Sequence, residues 1–180
     1  MPDSDELKKY ESTVVLPDGS TLRLRPIRHG DEDLLLALFD RLSRHTVYLR
    51  FHHALPRLSR EEAHRLCTVD YSDSFALVGT TGEDAGEIII AVARYYRLSG
   101  TDRAETAFTV EDSYQGKGIG TQLLLKLAAI AREKGIRVFE ADVLEGNRNM
   151  IEVFENSGFY TLEKLESGVA RLVMDITEED

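Results

Sequence analysis

Along the chain the spacing of apolar residues changes several times, and each change marks an element. Thr13 to Leu16 are followed by Pro17-Asp18-Gly19-Ser20, and then Leu22, Leu24 and Ile27 alternate with Arg23, Arg25 and Arg28. This predicts a hairpin whose second strand is half buried, with the arginines on its solvated face. Leu34, Leu35, Leu38, Phe39 and Leu42 recur at helical spacing behind Asp31, Glu32 and Asp33, acidic residues suited to the positive end of a helix. A shorter helical segment is expected over 44–52, and Ser59 with Glu62 forms a capping box for a third helix carrying Ala63, Leu66 and Cys67.

From Phe75 the period is two, and Phe75–Thr80, Ile88–Leu98 and Ala104–Glu111 read as three strands of an antiparallel meander. A long amphipathic helix is expected over 118–134, with Ile119, Leu123, Leu124, Leu127, Ala128 and Ala131 on its apolar side and Gly135 as its stop. A strand over Val138–Val143, a helix opening near Asn147, and strands around Tyr160–Leu165 and Val169–Ile176 complete the order. Runs of strands with few helices between them place the chain in the α+β class, an α/β sandwich built on a mixed sheet.

Composition narrows the function classes. With 180 residues, 42% of them hydrophobic, the chain has the length of one domain of roughly 100 to 200 residues and can build a core without metal or disulfide staples. Residues 1–10 are polar and acidic without periodicity and are expected to form a flexible tail, as are the last three; residues 11–180 read as a single domain. No apolar run approaches the roughly 18 residues of a membrane span, and the acidic amino terminus is unlike a secretory leader, so a soluble, cytoplasmic protein with no membrane partner is expected. The lone Cys67 fits a reducing compartment. Against 22 basic residues stand 32 acidic ones, a net charge of −10 that argues against nucleic acid as a partner and favours a cationic substrate.

The sharpest local feature is Gln115-Gly116-Lys117-Gly118-Ile119-Gly120, set between a strand and the long helix. Glycines at alternate positions let the backbone turn tightly and leave N–H groups pointing outward at a helix amino terminus, a cradle for a pyrophosphate. The spacing fits neither the dinucleotide fingerprint GxGxxG nor the P-loop GxxxxGK[ST]. On its own, such a stretch is equally an ordinary glycine-rich turn.

It is not alone. The run Phe108-Thr109-Val110-Glu111-Asp112-Ser113-Tyr114 leading into the cradle, then a helix, a strand, Asn147-Arg148-Asn149-Met150-Ile151 and Ser157-Gly158-Phe159, resembles the GNAT superfamily of acyl-CoA-dependent N-acyltransferases. Gln115, Gly118 and Gly120 match the family's (Gln/Arg)-x-x-Gly-x-(Gly/Ala) pattern, and Asn147, Met150, Gly158 and Phe159 match its downstream signature. Upstream, Leu24-Arg25-Pro26-Ile27-Arg28, Tyr48-Leu49-Arg50-Phe51 and Arg103-Ala104-Glu105-Thr106-Ala107 look like the acetyltransferase domain of bacterial protein lysine acetyltransferases that modify acyl-CoA synthetases.

The resemblance implies a mostly antiparallel sheet of seven strands, splayed between two parallel neighbours to admit acetyl-CoA, with CoA as product and no metal. It implies that Glu105 acts as general base toward a primary amine, its pKa raised by partial burial. As a residue alone, Glu105 is also what a solvated strand glutamate looks like, and Glu111 is a weaker candidate. It further implies that backbone groups of Phe108 and Val110, with Thr109 between them, bind the acyl oxygen and pantetheine arm, that residues 115–120 hold the pyrophosphate, and that Asn147 bonds the pantetheine arm or adjoining backbone. Asn147 is equally a plain helix N-cap.

Where many members of the family place a tyrosine that protonates the leaving thiolate, this chain has Phe154, which has no proton to donate; Tyr160 or Tyr114 are the substitutes at hand. The acceptor expected first is a protein lysine, as on an acyl-CoA synthetase, by direct attack in a ternary complex in a monomer or homodimer. A small amine or polyamine comes second. The rival from another class is an acyl-CoA sensor without turnover. His45, His52 and His53 lack metal-ligand spacing, Cys67 reads as core, and Tyr71, Tyr95 and Tyr96 are either acceptor-groove residues or ordinary sheet aromatics.

Overall fold

The computed structural model describes residues 4–159 and 161–177. Its strands form one mixed sheet in the order β1-β2-β3-β4-β5-β6-β8-β7. The hairpin of β1 (Ser12–Val15) and β2 (Thr21–Pro26) leads to the meander of β3 (Ser74–Thr81), β4 (Ile88–Arg97) and β5 (Arg103–Val110). Helices α2 (Glu32–Arg41), α3 (Arg44–Phe51) and α4 (Arg60–Cys67) fill the connection from β2 to β3, and a short α1 (Ser4–Lys8) precedes the sheet. Helix α5 (Ile119–Glu133) carries the chain from β5 to the parallel strand β6 (Val138–Leu144). Then follow α6 (Arg148–Glu155), β7 (Thr161–Glu166) and β8 (Val169–Asp175).

The α+β class and the mixed, mostly antiparallel sheet agree with the sequence reading. The sheet has eight strands among the described residues, one more than the seven that the resemblance implied, because the amino-terminal hairpin contributes both of its strands. Ser59 and Glu62 make both bonds of the expected capping box, and Gly135, at φ 79°, ends α5 as anticipated. In contrast to the tail expected over residues 1–10, Ser4–Lys8 is helical, and the Tyr10 ring is buried edge-on against Phe75. An aromatic ring that finds an apolar partner orders the chain that carries it. Tyr160, at the start of the expected seventh strand, lies outside the described residues.

Strand β4 is the spine of the core. Every residue from Ile89 to Tyr95 is buried, so both faces of the sheet are covered and the half-buried alternation disappears. The face bearing Val92 and Arg94 packs against α2 and α4, while Tyr95 on the other face stacks on Phe75 and meets Phe139. Helix α5 buries Leu123, Leu124, Leu127, Ala128 and Ala131, the stripe that its sequence spacing predicts.

Burial overturns the reading of the arginine stripe on β2. Arg25 is only 1% exposed, and its guanidinium donates to both Asp31 carboxylate oxygens, to Glu87 and to the Pro26 carbonyl. Only Arg23 and Arg28 behave as surface residues, both reaching Glu11. The reason is positional: Arg25 pairs with Val78 on β3 just past the end of the β1 ladder, where Asp31 at the start of α2 and Glu87 before β4 close over its guanidinium.

Candidate active site

The parallel pairing of β5 with β6 lasts for three residue pairs, Arg103 with Val138, Ala104 with Phe139, and Glu105 with Glu140. Beyond that point β5 stays paired with β4 and β6 with β8, and the two strands part. The Thr106 hydroxyl still donates to the Glu140 carbonyl (3.2 Å), marking the last tie across the seam. Phe154 from α6 is fully buried and meets Phe108 edge to face at 5.5 Å, so its ring fills the base of the opening.

Backbone direction follows from the ladder. Glu111 N–H donates to Ile90 O and Leu98 N–H to Arg103 O, so odd-numbered residues of β5 bond toward β4. Alternation then turns the N–H and C=O groups of Phe108 and Val110 toward the opening. The Val110 carbonyl accepts from Gln115 Nε2 at 3.0 Å, which holds the strand end against the glycine-rich turn.

Each glycine of that turn has its own reason. Gly116 and Gly118 sit at φ 75° and 81°, left-handed conformations that a side chain disfavours. Gly120 has ordinary φ, but a Cβ there would stand 3.0 Å from Val153 Cγ2, so its absence lets α5 approach α6. Gly118 caps α5 without a side-chain bond, and the first helical acceptor, its carbonyl, serves Gln122. The N–H groups of Ile119, Gly120 and Thr121 therefore have no intrahelical acceptor, and they meet the positive end of the helix dipole. Ile119 offers backbone only, because its side chain is in the core. Lys117 reaches away to Asp18 of the β1–β2 turn at 3.2 Å.

A second set of bonds ties α3 to this turn. The Asp112 carboxylate accepts from Ser43 N (3.0 Å), Ser43 Oγ (2.6 Å) and Thr46 Oγ1 (2.8 Å). Burial alone would raise the Asp112 pKa, but these donors outweigh it and hold the group below the usual carboxylate range. Helix α3 is thereby placed across the opening, and Leu49 and Arg50 line the cavities on both sides of it.

Two cavities meet there. The first, about 440 Å³, runs past Thr109, Val110, the glycine turn, the start of α5 and α6. The second, about 370 Å³, is lined by Tyr96, Glu105, Glu140, Asp142 and Arg171. Phe108, Asn147 and Met150 line both. The sequence candidates Glu105, Phe108, Thr109, Val110, Gln115, Gly116, Gly118, Ile119, Gly120 and Asn147 are thus brought around one continuous cleft, and Lys117 is the exception. Asn147 caps α6, its side chain accepting from Met150 N at 3.3 Å.

Glu105 lies opposite Tyr96 on β4 and beside Glu140 on β6. It is exposed, so the partial burial expected for it is not present, because the splay opens the sheet next to it. Glu140 is buried and bonded to Arg103 and, at 2.7 Å, to Arg171; these bonds keep its carboxyl low against the opposing effect of burial. Glu111 is engaged by Arg41 at 3.0 Å. Of the three tyrosines only Tyr96 faces the cleft, since the hydroxyls of Tyr71 and Tyr95 donate to the carbonyls of Ile27 and Ser72 from buried rings. Burial pushes the Cys67 thiol up to about 12, as befits a core residue. Among the described residues no three His, Cys, Asp or Glu side chains are grouped to hold a metal, and no helix is long and apolar enough to cross a membrane.

Sequence reasoning passed over Arg50 except as part of a motif, and missed Arg94. The available signal was spacing: Arg50 follows the buried Val47 by three residues on α3, and Arg94 lies within the apolar run of β4.

Comparison with known proteins matches this arrangement. Residues 37–159 fit the model of the Acetyltransferase (GNAT) family. The chain is 34% identical over 168 residues to the acetyltransferase Pat of Mycolicibacterium smegmatis, covering 93% of this chain but 49% of that protein, about half its length. It is 30% identical over 144 residues to the acetyltransferase PA5475 of Pseudomonas aeruginosa, covering 80% of this chain and 77% of the other. The crystal structure of the GNAT domain of S. lividans PAT superposes with a TM-score of 0.85 at 39% identity, covering 93% and 97% of the two chains. The family match spans α2 to the end of the second signature, including the splayed strands and the glycine turn, and on that ground the chain belongs to the GNAT family of acetyltransferases.

Proposed function

We propose that this chain transfers an acetyl group from acetyl-CoA to a primary amine, a protein lysine in the first instance, by direct attack in a ternary complex. The observation that carries the reading is the single cleft in which outward-facing backbone of Phe108 and Val110, the open amino terminus of α5 and Glu105 line connected cavities. The lysine acceptor rests on the narrower resemblance carried by residues 24–28, 48–51 and 103–107.

The donor fits the residues present. The free N–H groups at the start of α5 suit a pyrophosphate, and the β5 edge left open beyond Glu105 suits an extended amide-bearing arm as an added strand would. When bound, acetyl-CoA supplies an activated thioester carbonyl. Phe108 backbone orients that carbonyl and offers a donor for the negative charge that develops on its oxygen. Glu105 takes the proton of the attacking amine, directly or through one water, and its exposure on the acceptor side leaves it open to an entering ammonium group. Phe154 keeps water from the base of the opening and contributes no proton, so the thiolate departs without an acid at that position.

Calorimetric titration with acetyl-CoA, paired with CoA release in the presence of lysine peptides, acyl-CoA synthetases and small amines, tests the proposal. Glu105→Gln is expected to retain donor binding and to lose acceptor-dependent release by about 10²-fold or more. Binding without release in the unaltered protein would instead identify a sensor, and failure to bind acetyl-CoA would remove the cradle assignment.

A further inference from the structure

Arg50 and Arg94 are an electrostatic anomaly in a chain of net charge −10. Arg94 is 3% exposed, and its Nη1 donates to the Leu66 carbonyl (3.2 Å) and the Tyr96 hydroxyl (3.0 Å). Arg50 is half-buried on α3, with its guanidinium 4.9 Å from the Phe51 ring. Among the described residues no carboxylate is in ion-pair reach of either. Arg25, whose guanidinium is as buried as that of Arg94, holds two carboxylates by contrast. Desolvation, and then repulsion from Arg94, lower the Arg50 pKa to about 10. A cation withdrawn from water without a counter-charge is costly, and buried charges are ordinarily paired.

The acids nearby do not supply the missing charge. Glu140 is taken by Arg103 and Arg171, and Asp142 faces Arg171 at 3.5 Å. Arg50 and Tyr96 line the cavity that contains Glu105, while Arg94 stands directly behind, in a small apolar recess that Arg50 also lines. Arg50 also lines the cavity of the glycine turn, whose anion site is the start of α5, but Tyr96 and Arg94 do not. Arg50 therefore borders both halves of the cleft, and the two groups that back it, Arg94 and Tyr96, draw the unmatched charge toward the acceptor half.

Resting on the acetyltransferase reading above, we infer that Arg50, backed by Arg94 and the Tyr96 hydroxyl, forms an anion subsite that takes a carboxylate carried by the acceptor. The preferred acceptor carries a carboxylate as well as its reactive amine: Glu105 meets the amine and the guanidinium meets the acid. Such a pairing also offsets the repulsion between the two arginines, so it discriminates among acceptors by charge and not by bulk.

Nα-acetyl-lysine and Nα-acetyl-lysinamide, which differ only in the carboxylate, test this directly. With CoA-saturated protein, the Arg50 side-chain Nε–H signal in NMR, assigned by its loss in Arg50→Gln, is expected to shift with the acid and not with the amide. In turnover the acid is expected to exceed the amide by about tenfold in kcat/KM, chiefly through KM, with the ratio falling toward one in Arg50→Gln and partly restored in Arg50→Lys. Equal NMR responses to the two compounds overturn the subsite whether or not either is acetylated, which separates its failure from failure of the proposed activity. A donor arm compares succinyl-CoA with acetyl-CoA at fixed amide acceptor. If Arg50→Gln abolishes a preference for the dicarboxylic donor and leaves the acceptor ratio intact, the carboxylate belongs to the acyl group and the acceptor assignment is overturned.

Discussion

Replacing Arg25 with methionine is the most direct test of how the fold is held beneath the cleft. All five guanidinium protons are used: Nε on Glu87 (2.9 Å), Nη1 on Asp31 (2.8 Å) and the Pro26 carbonyl (3.1 Å), Nη2 on Asp31 (2.9 Å) and Glu87 (3.2 Å). This ties β2 to the start of α2 and to the segment entering β4. Methionine matches the length of the arginine stem but leaves two carboxylates, with side chains 8% and 18% exposed, without their cation. Removing one partner of a buried pair costs about 3–5 kcal/mol. Asp31 keeps the Arg28 N–H (2.8 Å) and Glu87 is partly solvated, so the lower end applies. For a chain of this length about 3 kcal/mol corresponds to roughly 6–12 °C in Tm.

Urea unfolding followed by circular dichroism, with calorimetry for Tm, reads the loss, and an unchanged urea slope shows that stability alone has moved. Arg25→Lys should fall between, because an ammonium cannot make the two-sided fork. None of the three charged residues lines either cavity, so acetyl-CoA affinity measured on folded Arg25→Met at low temperature should stay within about twofold of the unaltered protein. A variant within about 1 kcal/mol of the parent would refute the reasoning that this network needs its cation.

Gly118→Ala places a side chain at φ 81° with open space around it, so only backbone strain opposes it; the expected loss is about 1–2 kcal/mol of folding stability, read as a lower urea midpoint. Gly120→Ala acts differently, through the 3.0 Å approach to Val153, and its loss of stability should be largely recovered by Val153→Ala. The Glu140 carboxyl is held below its usual 4.5, so the unfolded chain binds the proton more readily. Its stabilisation is present in full above the unfolded pKa and is lost as pH falls through the folded one. Urea midpoints should begin to drop as pH falls through about 4.5 and go on dropping below it, and Glu140→Gln should flatten that drop; an unchanged acid limb would contradict the bond set.

Periodicity and local chemistry were enough to place most elements of this protein. The hairpin, the meander, the amphipathic stripe of α5, the Ser59–Glu62 capping box and the Gly135 stop are all set by neighbours within a few residues, and there the structure follows the pattern. The glycine turn and the second signature were likewise legible, because special backbone conformations require particular residue types at particular spacings. What spacing does not encode is which strand lies beside which. Only the tertiary structure decided that β5 and β6 pair for three residues and then part, that Phe154 fills the gap, and that Asp112 sets α3 across it. The same holds for charge. Arg25, Arg50 and Arg94 are alike in sequence, each an arginine among apolar neighbours; long-range packing buries one between two carboxylates and leaves the other two with no carboxylate in ion-pair reach among the described residues. Burial and pairing depend on residues dozens of positions away, so the chain alone determined the elements and the chemistry available, and the fold decided where that chemistry is left unpaired.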